Sequence, residues 1–251
     1  YGLTYLAGLA FAWWLAVRRT RQPWSPLQRE QVDDLIFYAA LGVVLGGRLG
    51  YSLFYGGERL LADPAWILRV WQGGMSFHGG FLGVIFAMYL FARRRNIGMG
   101  PLLDFIAPLV PVGLALGRLG NFIGQELWGR PSDVPWAMIF PRDPLQLARH
   151  PSQLYQFALE GMLLFLLVFW FSARPRPTWA VAGVFSLGYG CLRFAVEFFR
   201  EPDQHIGFQA LGWMTRGQLL CLPMMALGIY LIFIAYRGAG SAAARTTQKS
   251  K

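Results

Sequence analysis

Long runs of apolar residues without a charged side chain recur along the chain and are separated by shorter polar segments. Seven such runs occur, at residues 1–17, 35–47, 76–92, 105–117, 161–173, 177–192 and 217–236. Several approach the roughly 20 residues that a helix needs to cross a bilayer, and the shorter runs reach that length when one arginine is allowed inside. The pattern predicts an all-α polytopic membrane protein with about seven transmembrane helices, of which the second, fourth and sixth each contain an arginine.

The composition supports a bilayer as the solvent of this chain. Of its 251 residues, 55% are hydrophobic and only 14% are charged, which departs from the composition of soluble domains. The net charge of +10 could indicate a nucleic-acid partner, since basic surfaces attract phosphate backbones. The positive charges are concentrated in alternate loops instead, so we expect no nucleic-acid partner.

The distribution of lysine and arginine predicts the orientation in the membrane. Four loops or ends on one side of a seven-span protein hold 13 of these residues, whereas the three longer loops opposite hold 6. The first set comprises residues 18–33, 93–100, 172–176 and 237–251, and the second comprises residues 56–75, 120–151 and 196–215. By the positive-inside rule the first set is cytoplasmic. We therefore expect a membrane domain over residues 1–237 and a disordered, basic, cytoplasmic tail over residues 238–251.

Two of the three loops on the non-cytoplasmic side have a composition that suggests where they lie. Residues 56–75 include Trp66 and Trp71, whose amphipathic rings suit the headgroup region of a membrane. Residues 120–151 contain five prolines and mixed charge, which favours a small extramembrane cap over another span.

Three arginines fall toward the non-cytoplasmic ends of predicted spans. Arg48 and Arg118 each follow a glycine, Arg193 follows Leu192, and an apolar residue comes after each of the three. A charged side chain at mid-bilayer costs roughly 2.5–3.5 kcal/mol on insertion scales, so each needs a partner or a watery cavity. Their common depth predicts a shared site near one leaflet, although Arg48 rests on position alone and could be purely structural.

The sixth span carries four polar residues on one helical face. Tyr189, Arg193, Glu197 and Arg200 follow one another at spacings of four, four and three, which places Glu197 between two arginines. One interpretation is a self-neutralising ion-pair ladder that only closes the bundle. The other is an anion site, because two arginines share one carboxylate and a surplus guanidinium group suits bidentate binding of phosphate.

Further candidates flank the fourth and third spans. The stretch from Gly117 to Arg130 adds Asn121 and Glu126 among glycines, which would let the backbone approach a ligand closely. His78 lies in a glycine-rich turn, where a substrate could reach an imidazole that titrates near neutral pH. A lone histidine is nevertheless often structural.

Other features of the sequence limit the possible chemistry. Cys191 and Cys221 lie in predicted spans without the spacing of a metal site or disulfide framework, and we expect both to be small apolar core residues. We expect no metal or other cofactor. Residues 1–17 do not resemble a cleavable signal peptide, because no initiator Met or short basic stretch precedes them.

Two other classes of protein are consistent with buried arginines. An anion channel or lipid transporter predicts charges over the whole membrane depth or an inverted repeat of broken helices. A structural membrane module predicts charge balance within each ion pair. The gathering of the arginines toward one leaflet and their surplus over carboxylates favour neither.

Four motifs in this sequence resemble those of the bacterial prolipoprotein diacylglyceryl transferase family. They lie, in the family's order, at residues 73–80, 117–129, 150–155 and 189–200. The resemblance extends from residue 1 to about residue 237. Family members usually have additional residues before the position of Tyr1, so we expect the natural chain to begin earlier. The region Trp136–His150 is shorter than in some members, and no function is transferred to it.

The resemblance implies an enzyme of the bacterial inner membrane with seven spans and its active site toward the periplasmic leaflet. Such an enzyme transfers the diacylglyceryl group of phosphatidylglycerol to the lipobox cysteine of a prolipoprotein signal peptide and releases glycerol phosphate. Its partners would be these two substrates and membrane lipids. Catalytic roles are implied for His78, Arg118 and Arg193, and substrate-binding roles for Arg118, Asn121, Glu126, Tyr189, Glu197, Arg200 and Tyr1.

The implied reaction divides into two tasks. A thiol with a pKa of about 8.5 must lose its proton, because the thiolate is the nucleophile. The leaving phosphate must be stabilised, for which preorganised cationic donors are effective. We expect Arg118 and Arg193 to bind the phosphate. His78 is the candidate proton acceptor, with Glu126 or the developing leaving group as alternatives.

Overall fold

The chain is mostly helical in a computed structural model that describes residues 2–201 and 208–249. The α-helices are α1 (Gly2–Arg19), α2 (Glu30–Phe54), α3 (Gly57–Ala62), α4 (Phe77–Arg94), α5 (Met99–Ile106), α6 (Val110–Ile123), α7 (Ser152–Gln156), α8 (Leu164–Phe171), α9 (Ala180–Val196) and α10 (Arg216–Lys249). A π-helix, Phe157–Leu163, joins α7 to α8. Short 3₁₀ helices occur at Pro64–Leu68, Val70–Gln72, Ala107–Leu109 and Glu197–Phe199. Two short hairpins complete the described structure, β1 (Met138–Ile139) with β2 (Ala148–Arg149), and β3 (Phe208–Ala210) with β4 (Met214–Thr215).

Several of these helices suit a multi-pass membrane protein, as the hydropathy pattern predicts. Five helical stretches in the described part of the chain are long and apolar enough to cross a bilayer. They are Glu30–Phe54, Met99–Ile123, Ser152–Phe171, Ala180–Phe199 and Arg216–Gly238. Helices α1 and α4 occupy the other two predicted spans but are not among the five, so the total of seven stays a prediction.

The chain divides into two compact units. The small unit comprises residues 20–102, and the large unit comprises residues 1–19 and 103–251. In the small unit, α2 and α4 lie backbone to backbone because glycines meet along both helices. A Cβ atom added to Gly42 would lie 2.7 Å from the carbonyl oxygen of Gly83, and one on Gly50 would lie 2.7 Å from the Cα of Gly79. Small residues allow this close approach of membrane helices.

Arg48 organises the segment that follows α3 in the small unit. Its side chain is only 2% exposed, and its Nε donates a hydrogen bond to the carbonyl of Ile67 at 3.0 Å. Its Nη atoms donate to the carbonyls of Trp66, at 2.6 Å, and of Gly73 and Gly74. The guanidinium group also lies 4.5 Å from the centre of the Trp66 ring. Backbone oxygens thus satisfy this buried cation, which supports the structural interpretation of Arg48.

In the large unit, glycines again mark the helix contacts. A Cβ atom at Gly190 of α9 would lie 2.7 Å from Cγ of Met225 in α10, and one at Gly161 of the π-helix would lie 2.8 Å from the Cα of Ala115 in α6. The start of α9 is fixed by Asp104, whose carboxylate accepts hydrogen bonds from the backbone N–H groups of Trp179 and Ala182. These contacts join α9 to α10 and to α5, and the π-helix to α6.

The loop between α6 and α7, residues 124–151, folds around the β1–β2 hairpin, in which Met138 pairs with Arg149. Arg149 is buried and its Nε donates to Asp143 at 2.6 Å, and this guanidinium group lowers the pKa of the Asp143 carboxyl below its usual value. The backbone N–H of Arg130 donates a hydrogen bond to the carbonyl of Phe199 at 3.0 Å, which attaches this loop to the 3₁₀ turn that follows α9.

The last helix continues past the membrane stretch. As described, α10 runs from Arg216 to Lys249, beyond residue 238, where the sequence suggests a disordered tail. The disorder of residues 238–251 in solution stays a prediction.

We expect the Arg48→Ala variant to lose about 3 kcal/mol of unfolding free energy, because several buried carbonyls would lose their hydrogen-bond donor. Denaturant unfolding of the purified protein in detergent would measure the loss. Arg59→Ala is the matched control, since Arg59 also lies over Trp66, at 5.0 Å, but is exposed. Equal stability of the two variants would contradict the structural role of Arg48.

Candidate active site

The polar face predicted for the sixth span is present at the end of α9. Glu197 lies between two arginines, with Arg193 Nη1 at 2.7 Å from Oε2 and Arg200 Nη1 at 3.7 Å from Oε1. The α-helix ends at Val196, and a 3₁₀ turn from Glu197 to Phe199 keeps the face continuous. The spacing of four and three residues therefore produces the contacts that helical geometry requires.

Glu197 is also held by the start of α10. The Thr215 hydroxyl donates a hydrogen bond to Glu197 Oε1 at 3.0 Å. The same hydroxyl accepts a hydrogen bond from the backbone N–H of Gln218, and the side-chain oxygen of Gln218 accepts one from the backbone N–H of Thr215. This reciprocal pair is a capping box, and it brings the positive end of the α10 dipole toward the carboxylate. A Cβ atom at Gly217 would lie 2.6 Å from Glu197 Oε1, so glycine leaves the space that this carboxylate occupies.

A second buried carboxylate, Glu160, joins the two arginines that the sequence places in different spans. Glu160 Oε1 lies 3.6 Å from Arg193 Nη1, and its Oε2 lies 3.9 Å from Arg118 Nη2. Its side chain is 1% exposed and belongs to the π-helix. Arg118 and Arg193 thus come together around one carboxylate in the large unit.

Sequence reasoning did not single out Glu160. The predicted fifth span begins at Gly161 because the glutamate ends the charge-free run, although the helical stretch actually continues from Ser152 to Phe171. A lone carboxylate inside an apolar helix is expensive and is a functional or pairing candidate by default. The sequence therefore contained a reason to single out Glu160. The partners of Glu160 could not be deduced from the sequence, because they lie on other helices.

Together these five side chains form the arginine cluster, comprising Arg118, Glu160, Arg193, Glu197 and Arg200. Three guanidinium groups face two carboxylates, so the described members of the cluster carry a net charge of +1. Arg118 has 23% of its side chain exposed, whereas Arg193 has 11%. Arg200 has 17% exposed. A cationic site with buried carboxylates and partly exposed arginines suits a phosphate oxygen better than a neutral ligand.

Tyr189 belongs to the same region of α9. Its phenol group lies within electrostatic range of Glu160, Arg193 and Arg118, and its ring stacks on Phe185 at 6.2 Å. Its location on the arginine face agrees with the spacing in the sequence. Its role in binding substrate stays a prediction.

Asn121 and Glu126 lie where α6 ends. The Asn121 side-chain amide donates to Glu126 Oε1 at 2.9 Å, and Glu126 itself is exposed. The residues on either side of it, Gln125 and Leu127, have φ angles of 54° and 57°. Left-handed backbone is uncommon for such residues and often occurs at functional sites. Gln153 donates to the Glu126 carbonyl at 2.7 Å and helps to hold this turn.

The remaining predicted residues lie elsewhere or outside the description. His78 is exposed in the first turn of α4, in the small unit, and its ring meets that of Phe77 edge to face. Its role as proton acceptor stays a prediction. Arg48, also in the small unit, bonds to backbone carbonyls instead of forming part of the arginine cluster. Tyr1 lies outside the described residues.

The prediction for the cysteines is half right. Cys221 is buried, as expected, but the thiol of Cys191 is exposed and contacts the sulfur of Met225. A small apolar side chain is as compatible with lipid as with a protein core, so polarity alone could not distinguish the two. Within residues 2–201 and 208–249, no three histidine, cysteine or acidic side chains are grouped to hold a metal ion.

Comparison with known proteins gives a family match over most of the chain. The family model described as prolipoprotein diacylglyceryl transferase matches residues 1–234. The chain belongs to this family. It is 58% identical over 237 residues to the phosphatidylglycerol–prolipoprotein diacylglyceryl transferase of Teredinibacter turnerae, a match that covers 94% of this chain and 82% of the relative. The protein of the same name from Azotobacter vinelandii is 59% identical over 237 residues, covering 94% and 89%.

Membership of the prolipoprotein diacylglyceryl transferase family confirms the resemblance noted in the sequence motifs and makes this protein a transferase. It also excludes the channel and the purely structural module as descriptions of the whole chain. The arginine cluster lies within the matched region, which ends beyond Arg200.

Proposed function

We propose that this transferase moves the diacylglyceryl group of phosphatidylglycerol onto the thiol of a lipobox cysteine in a prolipoprotein, forming a thioether and releasing glycerol phosphate. The names of the relatives from Teredinibacter turnerae and Azotobacter vinelandii support both substrates. The observation that carries the proposal is the pair of arginines, Arg118 and Arg193, that share the buried carboxylate of Glu160 and belong to a cluster with a positive surplus.

The chemistry is a displacement at carbon. The cysteine thiol gives up its proton, the thiolate sulfur forms a bond to the glycerol carbon, and the bond from that carbon to the phosphate oxygen breaks. Glycerol phosphate leaves with both electrons of the broken bond, so the negative charge of the thiolate ends on the phosphate. Cationic donors that are already in position stabilise that charge as it develops, without reorganisation of solvent.

Arg118 and Arg193 are the donors in this mechanism. The Arg193 guanidinium group is held at 2.7 Å by Glu197, which in turn pairs with Arg200. Glu197 and Arg200 therefore position the α9 side of the site. Arg118 is the more exposed of the two donors and is supplied by a different helix, α6. Asn121, Glu126 and Tyr189 would contact the headgroup from the same two helices, and Tyr1 would complete this set.

We further infer seven spans in the bacterial inner membrane, with α1 and α4 as the first and third. Arg18 and Arg19 end α1, and Arg93 and Arg94 end α4, which suits cytoplasmic ends for both helices. The loop of residues 124–151 would then form a periplasmic cap, the active site would face the periplasmic leaflet, and the carboxyl end would be cytoplasmic.

The proposed function requires that the purified protein, incubated with phosphatidylglycerol and a peptide containing a lipobox cysteine, yield the diacylglyceryl thioether. Mass spectrometry of the peptide measures the product. A peptide with serine in place of the cysteine should give no product, because a neutral hydroxyl lacks the nucleophilicity of the thiolate. The absence of thioether from the cysteine peptide would refute the function.

Arg118→Ala and Arg193→Ala should each lower the rate of thioether formation by at least about a hundredfold, the effect typical of removing one donor to a developing anion. The rate is measured at matched amounts of folded protein. Arg174→Ala is the control, because Arg174 is an exposed arginine outside the arginine cluster. A wild-type rate for either Arg118→Ala or Arg193→Ala would show that stabilisation of the leaving phosphate does not depend on that arginine.

His78→Gln should change the pH dependence of the reaction as well as its rate. With His78 as proton acceptor, the wild-type rate rises with pH as the base form of its side chain accumulates. In the variant this rise should disappear, leaving an increase only near the ionisation of the thiol, at about pH 8.5. A profile of unchanged shape would remove His78 as the base, and Arg174→Ala should reproduce the wild-type profile.

A further inference from the structure

Glu160 has no part in the reaction as described so far, although it is the most deeply buried charged group of the arginine cluster. It contributes a negative charge beside the two arginines that bind phosphate, which weakens the attraction of the site for anions. The two guanidinium groups, at 3.6 and 3.9 Å, favour the charged carboxylate over the neutral acid that burial alone would favour. Pairing with Glu160 lowers the cost of burying these arginines, and it also reduces the affinity of the site for a bound phosphate.

The charges of the substrate and the product make this reduction selective. Phosphatidylglycerol is a phosphodiester and carries a single negative charge. The product, glycerol phosphate, is a phosphomonoester and carries between about −1.5 and −2 at pH 7. Because the repulsion from Glu160 is proportional to the charge of the bound anion, it acts more strongly on the product than on the substrate.

We propose that Glu160 limits the affinity of the arginine cluster for phosphomonoesters and thereby favours release of the glycerol phosphate product. This inference rests on the proposed function and deepens it, because it assigns to the same site a preference between substrate and product. Glu160 is a positioning residue in this account. It acts through Arg118, at 3.9 Å, and Arg193, at 3.6 Å, and sets the charge that they present.

Replacement of the carboxylate by an amide of the same shape isolates the charge. Glu160→Gln would raise the net charge of the cluster to +2 while retaining two oxygen or nitrogen atoms near the arginines. The extra attraction for a bound anion is proportional to the charge of that anion. A dianion should therefore gain twice the free energy that a monoanion gains.

The test compares two soluble inhibitors of thioether formation at pH 7.5. One is glycerol phosphate, the monoester, and the other is glycerophosphoglycerol, the diester that remains when phosphatidylglycerol loses its acyl chains. We expect Glu160→Gln to lower the inhibition constant of the monoester about tenfold and that of the diester about threefold. A gain in binding free energy that is twice as large squares the factor by which the affinity increases, and the square of about three is about ten. The ratio of the two constants is the readout, and a merely structural disturbance would change both equally.

Two matched variants control for local structure and overall charge. Glu160→Asp keeps the charge but shortens the side chain, and its ratio of inhibition constants should stay within about twofold of wild type. Glu201→Gln removes a carboxylate that pairs with Arg149 outside the cluster, and should leave the ratio unchanged. An unchanged ratio in Glu160→Gln, or an equal change in Glu201→Gln, would overturn the inference.

A variant that changes the charge of the cluster in the opposite direction keeps the inference testable if Glu160→Gln does not fold. Arg200→Gln lowers the net charge of the cluster to zero, and should weaken inhibition by the monoester about tenfold and by the diester about threefold. An unchanged ratio would again overturn it. Failure of the wild-type enzyme to form any thioether would instead refute the proposed function, so the two failures are distinguishable.

Discussion

The large unit depends on carboxylates that allow guanidinium groups to lie inside a helical membrane protein. Each arginine at membrane depth costs roughly 2.5–3.5 kcal/mol on insertion scales unless it is paired. Glu160 pairs with Arg118 and Arg193 at once, and Glu197 pairs with Arg193 and Arg200. The helix packing follows from this requirement, since α6, the π-helix and α9 must approach closely enough for these side chains to meet. Gly161, which has no Cβ atom, lets the π-helix lie close to Ala115 of α6.

The small unit meets the same physical requirement in a different way. Arg48 has backbone carbonyls as partners, and these satisfy the donors of its guanidinium group without a counter-charge. The result is a fixed loop. Comparison of Arg48 with Arg193 shows that this chain satisfies its buried arginines in two ways, with carbonyl oxygens in one unit and with shared carboxylates in the other.

Local patterns in the sequence were sufficient for the features that one helix determines alone. The pairing of Glu197 with Arg193 and Arg200 follows from their spacing, and the hydropathy pattern located the five long apolar helices. Features that join distant segments could not be derived in this way. The pairing of Glu160 with Arg118 spans two helices, and nothing in the sequence of either helix reveals the other as a partner. Arg48 was ambiguous for the same reason, because its acceptors lie in a loop about twenty residues away.

The π-helix that carries Glu160 has a consequence for how this span can vary. A π-helix has wider turns than an α-helix, and it usually arises when one extra residue is accommodated within a helix. Loss of a single residue between Phe157 and Leu163 would let the stretch revert to an α-helix, in which the residues of this turn, Glu160 among them, would point in new directions around the helix axis. Substitutions of lipid-facing residues would be tolerated there, whereas a change in length would separate Glu160 from Arg118 and Arg193. The number of residues in this span is therefore under as much constraint as their chemistry.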